Sequence, residues 1–245
     1  MFISKVYHIK GGNYMKKIFE KHETIFCILL IVLYVVINSY SINNFGITSY
    51  KSMLINITFS LFLIILIIKL KRTEYYGLTK VKETKKYLYF IPLIIISTVN
   101  LWNGFNINNT TKEIIFNTIN MINVGFIEEI IFRGFLFKMM EKNNSQSAII
   151  VSAITFGIGH IVNLLNGAEI IPTIIQICYA ISLGYLFVII FYKSKSLIPC
   201  IITHATINSL AIFNIENTTS LYISSLVLII ISLVYAIYIN KTIKE

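Results

Sequence analysis

An all-α, polytopic membrane helix bundle is the fold class this sequence predicts, and three observations lead to it. Of 245 residues, 56% are hydrophobic, and the mean hydropathy is +0.75, which lies outside the range of soluble domains. The apolar residues gather into eight runs separated by short loops, and about 20 such residues cross a bilayer. The basic residues fall in alternate loops. With the amino terminus taken as cytoplasmic, the inner segments hold 18 Lys and Arg, the outer loops only Lys51 and Lys112, and one span holds Arg133. This asymmetry obeys the positive-inside rule at each crossing. It predicts about eight transmembrane helices with both termini cytoplasmic.

Residues 1–24 read as a basic cytoplasmic segment bearing Lys5, Lys10, Lys16, Lys17 and Lys21, and residues 25–240 as a single transmembrane domain. The first run, Thr24 to about Tyr40, lacks a following small-residue cleavage site and so reads as a retained span. The second covers Met53 to Ile68, before the most basic loop. The third, Tyr87 to Trp102, is short, with Pro92 expected to kink it. The fourth is Ile114–Phe137, the fifth Ser147 to Leu165, and the sixth Ile170 to Tyr192, with Pro172 in its first turn. Ser196 is expected to cap the seventh, Leu197 to Phe213, which has Pro199 near its start. Leu221 to Ile239 makes the eighth.

The formal charge of +10 does not indicate nucleic acid, because the lysines serve as topology signals in the loops. Cys27, Cys178 and Cys200 lie in apolar segments without CxxC spacing, so they read as small hydrophobes rather than disulfide or zinc-finger residues.

Within the spans, polar residues stand out. Glu128, Glu129 and Arg133 sit inside the fourth run, where ionisable groups cost from a few kcal/mol to roughly 10 or more. On an α-helix Glu129 and Arg133 share a face, while Glu128 lies about 100° round and looks elsewhere. One carboxylate is thus neutralised and the other left available. Phe156 and His160 in the fifth run, and His204 and Asn208 in the seventh, are likewise four apart, each pair on one face. At 1.5 Å per residue, Glu128 stands roughly 15 Å from the cytoplasmic end of its helix, His160 about 20 Å and His204 about 10 Å. Helix tilt must close a gap of about 10 Å for them to meet. Singly, each group has a plainer explanation: a Glu–Arg tie, or interhelical hydrogen bonds worth about 0.6 kcal/mol on average. Together they point to a site.

Glu128-Glu129-x-x-x-Arg133, Phe156-x-x-x-His160 and His204-x-x-x-Asn208, in that order on separate apolar helices, resemble the CPBP family of CAAX-protease and bacteriocin-processing membrane proteins, also called the Abi family. The resemblance covers about residues 110–212. It implies an intramembrane endopeptidase acting on a membrane-associated peptide, whether lipidated, CAAX-like or a hydrophobic leader, with the substrate reaching the site from the cytoplasmic side; the Ile-, Asn- and Lys-heavy composition suggests an AT-rich bacterial genome and hence a bacterial plasma membrane. In that reading Glu128 activates water, His160 and His204 position it, Asn208 donates to the oxyanion, and Glu129 and Arg133 order the site. The same residues allow a metal: Glu128, His160 and His204 make a His₂Glu set of the kind that binds catalytic Zn2+. The family also includes bacteriocin self-immunity and abortive-infection proteins, so a non-catalytic membrane protein is the alternative. A transporter is disfavoured, since neither inverted repeats nor paired Gly/Pro-broken helices occur. No partner beyond the bilayer and the peptide is implied, and nothing in the sequence fixes an oligomeric state.

Overall fold

The computed structural model describes residues 11–81, 90–215 and 217–243. Among these the regular elements are all helical. They are α1 Gly11–Lys21, α2 Glu23–Phe45, α3 Tyr50–Lys69, α4 Ile91–Ser97, α5 Thr111–Glu129, α6 Lys138–Glu141, α7 Ser145–Gly159, α8 Val162–Leu165, α9 Ile170–Ser194, α10 Ile198–Leu210 and α11 Thr218–Thr242. An eight-residue π-helix, Ile130–Phe137, joins α5 to α6 without a break. Short 3-10 turns follow α4 and α10.

Among the described residues six helical stretches are long and apolar enough to span a bilayer: Glu23–Phe45, Tyr50–Lys69, Thr111–Glu141, Ser145–Leu165, Ile170–Ser194 and Thr218–Thr242. They make this an integral, multi-pass protein. The remaining two apolar runs form the shorter helices α4 and α10. The first three residues of the third run, 87–89, the loop lysines Lys82, Lys85 and Lys86, and Lys5 and Lys10 near the amino terminus lie outside the described residues. Exposed side chains such as Ile25, Leu29, Val32 and Val36 on α2, or Ile223, Leu226 and Ile230 on α11, are what a lipid-facing surface requires.

Local chemistry sets the helix ends. Ser49, Asn144 and Asn217 cap α3, α7 and α11 by accepting from Lys51 N, Ser147 N and Ser220 N. Thr110 and Glu113 form a reciprocal capping box at α5. Two expectations are corrected. Pro92 lies in the first turn of α4, where its missing N–H breaks nothing, so it starts the helix rather than kinking it. The N-cap of α10 is Leu197, not Ser196; the Ser196 hydroxyl instead donates to Thr79 O at 2.6 Å, while Ile198 N reaches its oxygen only at 3.4 Å.

α9 packs between α7 and α11, and α5 packs between α3 and α10. Within the second group a buried amide pair replaces apolar contact. Asn56 Nδ2 donates to Asn120 Oδ1 at 2.7 Å, and Asn120 donates to Ile47 O at 3.0 Å. Such bonds fix the rotation of one helix on another in a medium that offers little hydrophobic drive for association.

Candidate active site

The site begins where α5 gives way to the π-helix. Glu128 and Glu129 are the last residues of α5, and all eight π-helical side chains after them are buried. Isolated π segments are rare and concentrate at functional sites. Arg133, within it, is fully buried and donates through Nη1 to Glu129 Oε1 at 3.1 Å. Its guanidinium also stacks over Phe156, 4.1 Å from the ring centroid.

Glycines let the helices close on this point. A Cβ on Gly125 would lie 2.8 Å from Ala205 N and 3.0 Å from its Cα, so α5 and α10 touch backbone to backbone one turn before the glutamates. That contact brings His204 against both carboxylates. Its Nδ1 donates to Glu129 Oε1 at 2.8 Å, and Nε2 stands 3.4 Å from Glu128 Oε2. The ring donates to both at once only as the imidazolium. Gly157 serves α7 and α9 in the same way, with its virtual Cβ 2.8 Å from Ile181 N. Gly184 leaves room for Arg133 Nη2 and for Phe156, each 3.1 Å from the Cβ it lacks.

The adjacent carboxylates differ. Glu129 has no exposed side-chain surface, whereas Glu128 keeps 14% and lines a small cavity of about 60 Å3. His160, Phe156, Tyr34 and Asn163 line it too. A water needs on the order of 10–15 Å3 of such volume, so the cavity has room for water but none for a peptide. The Tyr34 hydroxyl donates to Glu128 Oε1 at 2.6 Å. His160 ends α7 as its C-cap, and its Nδ1–H faces Phe156 O at 3.2 Å, leaving Nε2 as the acceptor nitrogen.

The structure therefore joins Glu128, Glu129, Arg133 and His204 in one chain of contacts and puts His160 on Glu128's cavity. The gap in depth is closed, since the His160 and His204 rings both pack against Phe156, with centroids 5.3 and 5.5 Å away. Asn208 is placed elsewhere. One turn beyond His204, it lines a separate cavity of about 800 Å3 between α9, α10 and α11. Sequence reasoning missed Tyr34, one of several tyrosines in apolar runs and 94 residues from its partner. The glycines were a usable signal, since small residues mark close helix contacts.

As to a metal, both nitrogens of His204 face carboxylates, and among the described residues no three His, Cys, Asp or Glu side chains assemble as a group able to hold an ion.

Fold and site together define a multi-pass helical membrane protein with a carboxylate–histidine cluster inside the bundle. Residues 110–210 match the family model described as Rce1-like, type II CAAX prenyl endopeptidase. This stretch holds all six candidate residues, is consistent with the CPBP resemblance, and speaks for a membrane protease. No curated protein and no solved structure matches the chain.

Proposed function

We propose that this chain is an intramembrane endopeptidase that hydrolyses a peptide bond in a membrane-associated peptide, with Glu128 as general base. What carries the reading is that Glu128 alone of the two glutamates faces a water-sized cavity, opposite His160, while Tyr34 and His204 hold its two oxygens. Glu128 takes a proton from water lodged against His160, and the oxygen adds to the scissile carbonyl. The proton then passes to the leaving amine, and the tetrahedral intermediate collapses to acid and amine. General-base assistance of this kind contributes about 10²–10⁴-fold. Glu129 and Arg133 are positioning residues that orient His204. Asn208, the oxyanion donor the resemblance implies, lines the separate large cavity rather than the one beside Glu128, so it reaches the developing oxyanion only when a bound peptide bridges the two, a role worth about 3 kcal/mol elsewhere. The large cavity falls within the roughly 300–1,000 Å3 of ordinary ligand sites.

The test compares wild type with Glu128→Gln at equal folded levels in membranes, reading cleavage of hydrophobic and lipidated peptides by mass spectrometry. Cleavage by the wild type alone is the expected result. Equal cleavage by both removes Glu128 from the chemistry.

A further inference from the structure

The cavity beside Glu128 has a direction. Starting at Glu128, its lining follows α2 from Tyr34 to Asn38 and Ser39, and follows α7 and α8 from His160 to Asn166. Both paths run toward the ends of helices that lead into lysine-poor loops. Residues 46–49, between α2 and α3, and 166–169, between α8 and α9, contain no Lys or Arg at all. By the positive-inside rule these loops are outside the cytoplasm. The large cavity reaches the same end: Asn103, Glu169, Asn214 and Asn217 of its lining belong to the loops there, and Asn208 lies within α10.

The opposite direction is closed. Below Glu128 the buried π-helix presents Phe135 to Phe19, Phe26 and Tyr76, with ring centroids 6.1, 5.9 and 4.6 Å away. Phe137 meets Phe191 at 5.8 Å. The inner half has its own cavities, one beside Lys138 and Lys195 and one between α4 and α10. None of the six candidate residues lines either.

We infer that the site is reached from the non-cytoplasmic face, and that its substrate is an exported, membrane-associated peptide presenting a polar stretch there. This rests on the protease reading for the word substrate, and replaces the cytoplasmic approach expected from the resemblance. The polar stretch follows from the large cavity's lining, where carboxamides of Asn100, Asn103, Gln176, Asn208, Asn214 and Asn217 provide donors and acceptors suited to peptide backbone. Among the described residues Glu169 is the one charged side chain that lines it.

Cysteine labelling tests the direction without relying on activity. In a Cys178→Ala background, which removes the exposed thiol and leaves Cys27 and Cys200 buried, single cysteines replace Ser39 in the cavity lining, Ala168 in the outer loop and Asn143 in the inner loop. A membrane-impermeant maleimide is applied to intact and to permeabilised cells. Ser39→Cys and Ala168→Cys are expected to react equally in both, and Asn143→Cys only after permeabilisation. Reaction of Ser39→Cys only after permeabilisation overturns the inference, as does an unreactive Ser39→Cys beside a labelled Ala168→Cys. Right-side-out vesicles are then expected to cleave an added membrane-anchored peptide that inside-out vesicles leave intact; the reverse also overturns it. With labelling as expected, absence of cleavage from both vesicle types counts against the protease reading and the substrate assignment, leaving the sidedness of the cavity in place.

Discussion

Glu128 and Glu129 are neighbours in the chain and opposites in surroundings. Glu129 is sealed, its Oε1 shared by Arg133 and His204. Glu128 has its oxygens held by Tyr34 and His204, yet keeps a face on a cavity with room for water. A single residue step on a helix rotates one carboxylate into the protein and leaves the next at a cavity wall. The difference teaches that charge inside a bundle has two separable uses, one in building the fold and the other in chemistry. Mutation can pull them apart.

Replacing Arg133 by Ala tests the sealed side and should have the largest cost in stability. It leaves Glu129 buried without its fixed cation, a change worth about 3–5 kcal/mol in buried pairs. Thermal unfolding of the detergent-solubilised protein should show it, together with a lower folded yield. Glu128→Gln tests the open side. Peptide cleavage should fall by about 10²–10⁴-fold while the unfolding temperature stays close to wild type. Similar melting losses in both variants would erase the distinction. Gly125→Ala tests the contact that makes His204 common to both glutamates. Overpacking at a backbone–backbone approach costs typically 1–3 kcal/mol, and cleavage should drop more than stability does, because His204 moves with α10. Tyr34→Phe removes one hydrogen bond to Glu128 and should lower the cleavage rate about tenfold, equivalent to roughly 1.4 kcal/mol, with KM little changed. Chelation should have the smallest effect. Cleavage measured with and without a zinc chelator should agree if Glu128 serves as the base, its oxygens held by Tyr34 and His204; loss on chelation with recovery on adding zinc would make it a ligand instead.

Much of this contrast was legible in the sequence. The i, i+4 spacing of Glu129 and Arg133 foretold their pairing, and the offset of Glu128 foretold its different outlook. The helical class and the positions of the spans followed from apolar runs alone. Contacts between distant helices were not legible, because pattern along one helix says nothing of which neighbour it meets. Tyr34 is the plainest case, and the Asn56–Asn120 amide pair is another. The continuous α-helix expected across Ile114–Phe137 is instead widened from Ile130 onward, and no residue pattern there announces a π-helix. His204 and Asn208, four apart on α10, have different surroundings: His204 meets both glutamates, while Asn208 lines the large cavity.

That widened segment also sets a rule about chain length. A π-helix fits more residues into each turn than an α-helix does, so it acts as a phase adjuster between the part of the span that ends in Glu129 and the part that starts at Lys138. Side chains on either side of it can be exchanged one at a time, but the residue count between them cannot change freely. Deleting one residue from this segment would let it relax toward α-helical winding and turn everything beyond by about a quarter-circle or more. A deletion between Glu129 and Arg133 would bring the pair from four apart to three, and Lys138 and Glu141, both beyond the segment, would turn together with their own ion pair intact but away from the Tyr75 ring that Lys138 overlies. A frame-preserving deletion that removes no charged group would then disturb the packing of the whole inner end of the span.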